Sequence, residues 1–170
     1  LILDTDLDTD CDDTGALALL HNFAQRGEAE ILGVICSIPK VACALCASAI
    51  NDAYGRAELP VGLVRVADWQ RSPRFNTYQE MLADLARQSK PFYNETIGGE
   101  WAQQHPGVQY PCATVLYRQL LADADDATVT ICAIGTLTAL QQLLDSPGDS
   151  ISPLSGRELI GAKVVRLVSM

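Results

Sequence analysis

Residues 1–21 read LILDTDLDTDCDDTGALALLH, an apolar segment that runs into six aspartates and then into a segment rich in Ala and Leu. The first segment predicts a strand over Leu1–Asp4. The second predicts a helix over Asp12–Arg26, because its apolar residues recur at helical spacing and Gly27 follows it. The aspartates therefore occupy a loop between a strand and a helix. In open parallel sheets, ligands bind beyond this end of the strands.

The rest of the chain alternates between the same two kinds of element. Apolar segments predict further strands over Ile31–Ser37, Leu59–Val64, Ala127–Ile134 and Lys163–Ser169. The intervening segments predict helices over Lys40–Tyr54, Pro111–Ala122, Leu137–Leu144 and Gly156–Ala162. This alternation predicts an α/β fold, with an open, mostly parallel, Rossmann-like sheet that carries helices on both faces.

The length of 170 residues suits a single domain with a hydrophobic core, and we assign residues 1–170 to one domain. Residues 67–110 are rich in polar residues, Pro, Gly and aromatics, which predicts a long insertion or loop with a short helix over Thr77–Gln88. The last predicted strand has nothing after it. We therefore expect a domain that is incomplete at its C-terminus.

Composition narrows the classes of partner. The net charge is −9, which disfavours a nucleic-acid-binding surface and is compatible with a cation site. No apolar run approaches the roughly 20 residues that span a bilayer, so we expect no membrane partner. A homo-oligomer stays open. The compartment is undetermined: the lack of a visible signal peptide slightly favours the cytoplasm, and secretion stays open if an upstream signal has been removed.

The crowded aspartates are the strongest chemical signal in the chain. Six of the 21 acidic residues lie within Asp4–Asp13. Two carboxylates about 4 Å apart repel by about 4 kcal/mol at an effective dielectric of 20. Capping of the following helix explains one or two of these acids but not six. The cluster therefore predicts a hard divalent cation, because Ca²⁺ and Mg²⁺ prefer carboxylate oxygens.

Two common metal-loop patterns do not fit this segment. An EF-hand loop needs Gly at its sixth position and Glu at its twelfth, and registers starting at Asp4 or Asp6 have neither. The aspartyl-phosphatase pattern, D-x-D-x-T after a strand, places Asp8 or Asp10 where Thr is needed. The phosphatase reading stays open because it shares the strand followed by D-x-D.

A third pattern fits. Asp4-Thr5-Asp6, a short loop and Asp12-Asp13 before an Ala/Leu-rich helix resemble the signature of the inosine–uridine-preferring nucleoside hydrolase family. The segment ICAIGTLTALQQLL is similar to the family's strand–G-P-L-T-N–helix element, with matches at Gly135, Leu137 and Thr138. The loop is longer here than in the shortest family members, and Asp8 and Asp10 are extra acids. The resemblance spans almost the whole chain and about the first half of a family domain.

The resemblance implies Ca²⁺-dependent hydrolysis of the N-glycosidic bond of ribonucleosides to nucleobase and ribose, with a metal-bound water as the nucleophile. It implies that Asp6 is the catalytic base and a metal ligand. It also implies that Asp13 is a bidentate metal ligand, that Thr138 is a ligand through its carbonyl, and that Asp12 binds the ribose. Lys40 stands where many members have a ribose-binding Asn. The family's other site residues fall beyond Met170, so this chain alone is expected to be inactive.

Two other functions stay open. A Mg²⁺-dependent phosphohydrolase would use Asp4 or Asp6 as nucleophile, with Lys163 as its lysine. A non-catalytic calcium-binding module would need the acids alone. Six aromatic residues between 67 and 110 could stack on a nucleobase or pack against one another, and packing is favoured. They are Trp69, Phe75, Tyr78, Phe92, Tyr93 and Trp101.

Overall fold

The computed structural model describes residues 1–70, residue 80 and residues 92–170. The five strands are β1 (Ile2–Thr5), β2 (Gly33–Cys36), β3 (Val61–Leu63), β4 (Val129–Ala133) and β5 (Val164–Ser169). The helices, numbered among the described residues, are α1 (Asp12–Gln25), α2 (Val41–Ala53), α3 (Val66–Trp69), α4 (Tyr93–Gln104), α5 (Ala113–Asp123), α6 (Thr138–Asp145) and α7 (Gly156–Lys163). The predicted helix Thr77–Gln88 lies outside the described residues except at residue 80.

The strands form one parallel sheet in the order β3-β2-β1-β4-β5. This confirms the predicted α/β fold. The strand order reverses at β1, which has β2 on one side and β4 on the other. Such a reversal opens a crevice beyond the carboxyl ends of the two central strands. The aspartate loop follows β1 and the segment GTLT follows β4, so the topology brings both predicted motifs to the same crevice.

Two groups of helices cover the sheet. Helix α2 contacts both α1 and α4, and α5, α6 and α7 contact one another. Right-handed crossovers place these groups on opposite faces, since the chain reverses direction across the sheet between β3 and β4. The side chains of β1 and β2 are buried throughout, as expected for central strands covered on both faces.

One helix was not predicted from the sequence. Within residues 67–110 we expected a helix only over Thr77–Gln88, and Tyr93–Gln104 is a regular helix packed on α2. Gly98 is a packing position in this helix. A Cβ there would come within 2.8 Å of the Leu45 side chain and 3.0 Å of the Ala42 carbonyl oxygen. The small residue therefore allows the two helices to approach closely.

Strand β5 differs from the other strands. Within the described residues it is at the sheet edge, and all but its first side chain are exposed. Three of those exposed side chains are apolar: Val165, Leu167 and Val168. The expectation of an incomplete C-terminus is not tested by this arrangement and stays a prediction.

Candidate acidic site at the carboxyl edge of the sheet

Backbone and side-chain hydrogen bonds tie three strand ends together at the crevice. The amide of Ile134, after β4, donates to the carbonyl oxygen of Asp4 at 2.8 Å. The amide of Ser37, after β2, donates to the carbonyl oxygen of Thr5 at 2.9 Å. The hydroxyl of Thr136 then donates to the Ser37 carbonyl oxygen at 3.0 Å. These bonds fix the floor from which the aspartate loop rises.

Gly135 explains why the two motifs meet so closely. A Cβ at this position would lie 2.5 Å from the backbone nitrogen of Asp6 and 2.6 Å from the Ser37 hydroxyl oxygen. Any larger residue would push the turn after β4 away from the end of β1. The glycine of the GTLT segment is therefore required by direct contact with the aspartate loop.

An open pocket of about 270 Å³ lies above this floor. Its walls come from the aspartate loop, the start of α1 and the turn after β4, with the last residue of the chain at its rim. The lining residues are Asp6, Asp8, Thr9, Asp10, Asp12, Asp13, Ile134, Thr136 and Met170. The pocket is thus predominantly acidic and sits where the strand order reverses.

Three carboxylates in the pocket have the spacing of a cation site. Asp10, Asp12 and Asp13 each offer an oxygen atom, and these atoms all lie within 4.8 Å of one another. Asp10 and Asp12 are exposed, whereas Asp13 is buried. The hydroxyl of Thr5 donates a short hydrogen bond to Asp13 Oδ1, which fixes the buried carboxylate at the start of α1.

The carboxyls of Asp6 and Asp13 are close enough to influence each other's pKa. Burial, chiefly, raises the pKa of Asp6 to about 7, with the neighbouring carboxyls of Asp13, Asp8 and Asp10 acting in the same direction. Burial also raises the pKa of Asp13, against the lowering effect of the hydrogen bond from Thr5. Both carboxyls therefore bind a proton more readily than an exposed aspartate does.

Asp4 serves a different purpose from the pocket acids. It is fully buried, and the Tyr117 hydroxyl on α5 donates to its Oδ2 at 2.7 Å. The Ser37 hydroxyl lies nearby but donates to the Thr5 carbonyl oxygen at 3.1 Å, which leaves Asp4 Oδ1 without a donor. Burial raises the pKa of Asp4 to about 7, against the lowering effect of the hydrogen bond from Tyr117. Asp4 links the sheet to α5 beneath the pocket.

Asp8 is held by a cation. The Lys40 ammonium lies 2.9 Å from Asp8 Oδ1 and 3.4 Å from Glu95 Oε1. It also lies 4.2 Å from the centre of the Phe92 ring. Lys40, which stands in the place of the expected ribose-binding Asn, is therefore engaged with the loop and with the start of α4.

The structure brings together most of the residues that the sequence singled out. Asp6, Asp12 and Asp13 all line the pocket. Thr138 begins α6 and does not line the pocket. From the segment after β4, the pocket is lined by Ile134 and Thr136 instead. The sequence did not identify Thr136, because its hydroxyl binds the carbonyl oxygen of Ser37, which is distant along the chain. It also missed Asn94, whose region was read as a loop.

Comparison with known proteins finds no match among protein families, curated proteins or solved structures. Among the helices of the described residues, none combines the length and apolar character needed to cross a bilayer.

Proposed function

We propose that this chain carries the calcium site of an enzyme that hydrolyses the N-glycosidic bond of ribonucleosides to nucleobase and ribose. One observation carries the proposal: carboxylate oxygens of Asp10, Asp12 and Asp13 lie within 4.8 Å of one another in an acidic pocket that Asp6 also lines. Carboxylates gathered in this way are stabilised by a counter-charge, and a divalent cation can supply it.

The donor set fits calcium. Carboxylate oxygens are hard ligands, and Ca²⁺ accepts six to eight of them in flexible geometry. Asp13, fixed by Thr5, would be the central ligand, with Asp6, Asp10 and Asp12 around it. When bound, Ca²⁺ supplies Lewis-acid polarisation of a water molecule and orientation of sugar hydroxyls.

The protein's own residues supply the remaining chemistry. Asp6 lines the pocket beside the cluster of Asp10, Asp12 and Asp13, so its carboxylate is placed to take a proton from a water molecule there. The summed negative charge of the pocket favours the positive charge that develops on a ribosyl group as its bond to the base breaks. Exposed Asp12 at the pocket wall can accept a hydrogen bond from a ribose hydroxyl.

The geometry gives less support to a phosphohydrolase. Its nucleophile would need to be Asp4 or Asp6, and Asp4 is fully buried with its carboxyl bound by Tyr117. Its lysine, Lys163, precedes β5 at the opposite edge of the sheet, where it pairs with Asp126 at 2.7 Å. A calcium-binding module without catalysis would have no need of a proton acceptor such as Asp6, which is the difference that the experiment below measures.

The test measures ribose release by the full-length gene product from a set of purine and pyrimidine ribonucleosides, with Ca²⁺ and with a chelator. We expect release that the chelator abolishes. Asp6→Asn should lower the rate about 10³-fold, because it removes the proton acceptor. Calcium binding by calorimetry should be weakened in the same variant.

Asp125→Asn is the matched control, since Asp125 is exposed at the amino edge of the sheet and its substitution removes the same charge. It should leave both readouts unchanged. Calcium binding without ribose release from any nucleoside would favour the binding module. Release of phosphate from esters, with no release of ribose, would favour the phosphohydrolase.

A further inference from the structure

Helix α4 reaches the aspartate loop through a buried asparagine. Asn94 Nδ2 donates to the carbonyl oxygen of Leu7 at 2.7 Å, and both residues are fully buried. We infer that Asn94, together with Lys40, is a positioning residue that preforms the acidic pocket for its cation. This inference rests on the proposed function and extends it to residues that do not line the pocket.

The loop needs such support at Leu7. This residue has a φ of +48°, in the left-handed region that Leu rarely adopts. A non-glycine residue keeps this conformation only when its surroundings enforce it. Burial of the Leu7 side chain and the hydrogen bond from Asn94 supply that enforcement. Since Asp6 and Asp8 are its neighbours, the backbone of Leu7 sets the directions in which both carboxylates point.

Lys40 acts on the adjacent residue. Its ammonium bridges Asp8, on the loop, to Glu95, on α4, and contacts the Phe92 ring. Asp8 is only 3% exposed, so this ion pair is largely shielded from water and fixes the carboxylate more firmly than a surface pair would. The start of α4 thus holds two consecutive loop residues, Leu7 through Asn94 and Asp8 through Lys40.

Residues behind metal ligands commonly change metal affinity 10- to 100-fold when they are replaced, because they orient the ligands. Asn94 is a clean probe of this effect because it is uncharged and lies outside the pocket lining. Asn51 on α2 is a matched control. It is also a fully buried asparagine, and its Oδ1 accepts a hydrogen bond from His21 Nε2 at 2.9 Å.

The experiment compares Asn94→Ala with Asn51→Ala in the full-length gene product. It measures the Kd for Ca²⁺ by calorimetry and the number of water molecules bound to Tb³⁺ by luminescence lifetimes in H₂O and D₂O. We expect Asn94→Ala to raise the Kd about 10-fold and to add about one bound water, as a misdirected carboxylate is lost. Asn51→Ala should lower the unfolding midpoint and leave both cation readouts unchanged.

A second variant keeps the test decisive if Asn94→Ala fails to fold. Lys40→Met makes the loop more negative, so attraction between charges alone would tighten Ca²⁺ binding. A positioning role predicts the opposite, binding weakened at least about threefold, because Asp8 loses its ion pair with Lys40. Lys163→Met is the control, since Lys163 is similarly shielded but pairs with Asp126 at the far edge of the sheet.

The outcomes separate the two claims. If the wild-type protein binds no Ca²⁺ or Tb³⁺, the proposed function and this inference fall together. If the wild type binds and Asn94→Ala binds equally well, or Lys40→Met binds more tightly, the inference is overturned and the proposed function stands. Equal loss of affinity in Asn94→Ala and Asn51→Ala would also overturn it, because the effect would then be general destabilisation.

Discussion

Two loops of this chain handle charge in opposite ways. In the loop at residues 6–13, carboxylates face one another, and their pKa values rise at Asp6 and Asp13. In the loop at residues 146–155, the buried side chain of Arg118 meets five oxygen atoms: Asp149 Oδ1 and Oδ2, the Ser146 hydroxyl, and the carbonyls of Ser152 and Leu154. Hydrogen bonds from Arg118 lower the pKa of Asp149 to about 2.

The two loops differ in whether their charges are paired within the protein. The Arg118 loop is satisfied within the protein, so its charges hold α5 to the segment between α6 and α7. Among the described residues, the aspartate loop keeps an excess of negative charge, which the ion pair of Lys40 with Asp8 only partly offsets. Stable proteins place such local conflict chiefly at sites of function. Breaking the contacts of Arg118 should therefore lower the free energy of unfolding. Removing a negative charge from the aspartate loop should raise it.

The largest stability effect is expected at Arg118. Arg118→Met removes the charged donor to Asp149 and to the carbonyl oxygens of Ser152 and Leu154. We expect the free energy of unfolding to fall by about 3 kcal/mol, measured by urea denaturation. Arg26→Met is the control, because Arg26 forms an exposed ion pair with Glu28 and should change stability by less than about 1 kcal/mol. Similar losses in both variants would contradict the structural role of the Arg118 loop.

A smaller effect of opposite sign is expected at Asp6. Its pKa is about 7 in the folded protein and near 3.8 when unfolded, so the folded state binds more protons between those values. The stability of the metal-free protein should therefore fall as pH rises from about 4 to 7. Asp6→Asn removes that loss and should stabilise the metal-free protein at pH 8 by roughly 1–2 kcal/mol, after allowance for solvent screening.

Calcium should reverse the order of stability of the wild type and Asp6→Asn. At 100 times its Kd, a ligand that binds only the folded state adds about 2.7 kcal/mol of stability, which the wild type should gain and Asp6→Asn should largely lose. Thermal unfolding at pH 8, with Ca²⁺ and with chelator, measures both differences. A wild type that is already the more stable of the two without metal would contradict unrelieved repulsion in the loop.

The smallest effect is expected at Asp149. Its lowered pKa means that its contribution to stability is present above about pH 4 and is lost as pH falls toward 2. Wild type and Asp149→Asn should therefore differ at neutral pH and converge in acid. Denaturation curves at pH 7 and pH 2 test this, and a difference that persists unchanged at pH 2 would contradict it.

The sequence predicts well those features that depend on local pattern. Strands of buried apolar residues and the loop acids after β1 were located because each pattern is continuous along the chain. Contacts between residues that are far apart in sequence were not predicted. Arg118 reads as an ordinary helix residue until the loop at 146–155 folds over it. The need for a small residue at Gly98 becomes visible only when the backbone of α2 packs against it. Asn94 gains meaning only through the strained backbone of Leu7.

The apolar edge strand has a practical consequence for handling this chain. The outer backbone of β5 has no neighbouring strand within the described residues, and Val165, Leu167 and Val168 are exposed along it. Long apolar edges of this kind recruit other β-strands, which leads to aggregation. Preparations of this chain should therefore be kept dilute, and a charged residue at position 167 is a reasonable first choice for improving solubility without changing the lining of the acidic pocket.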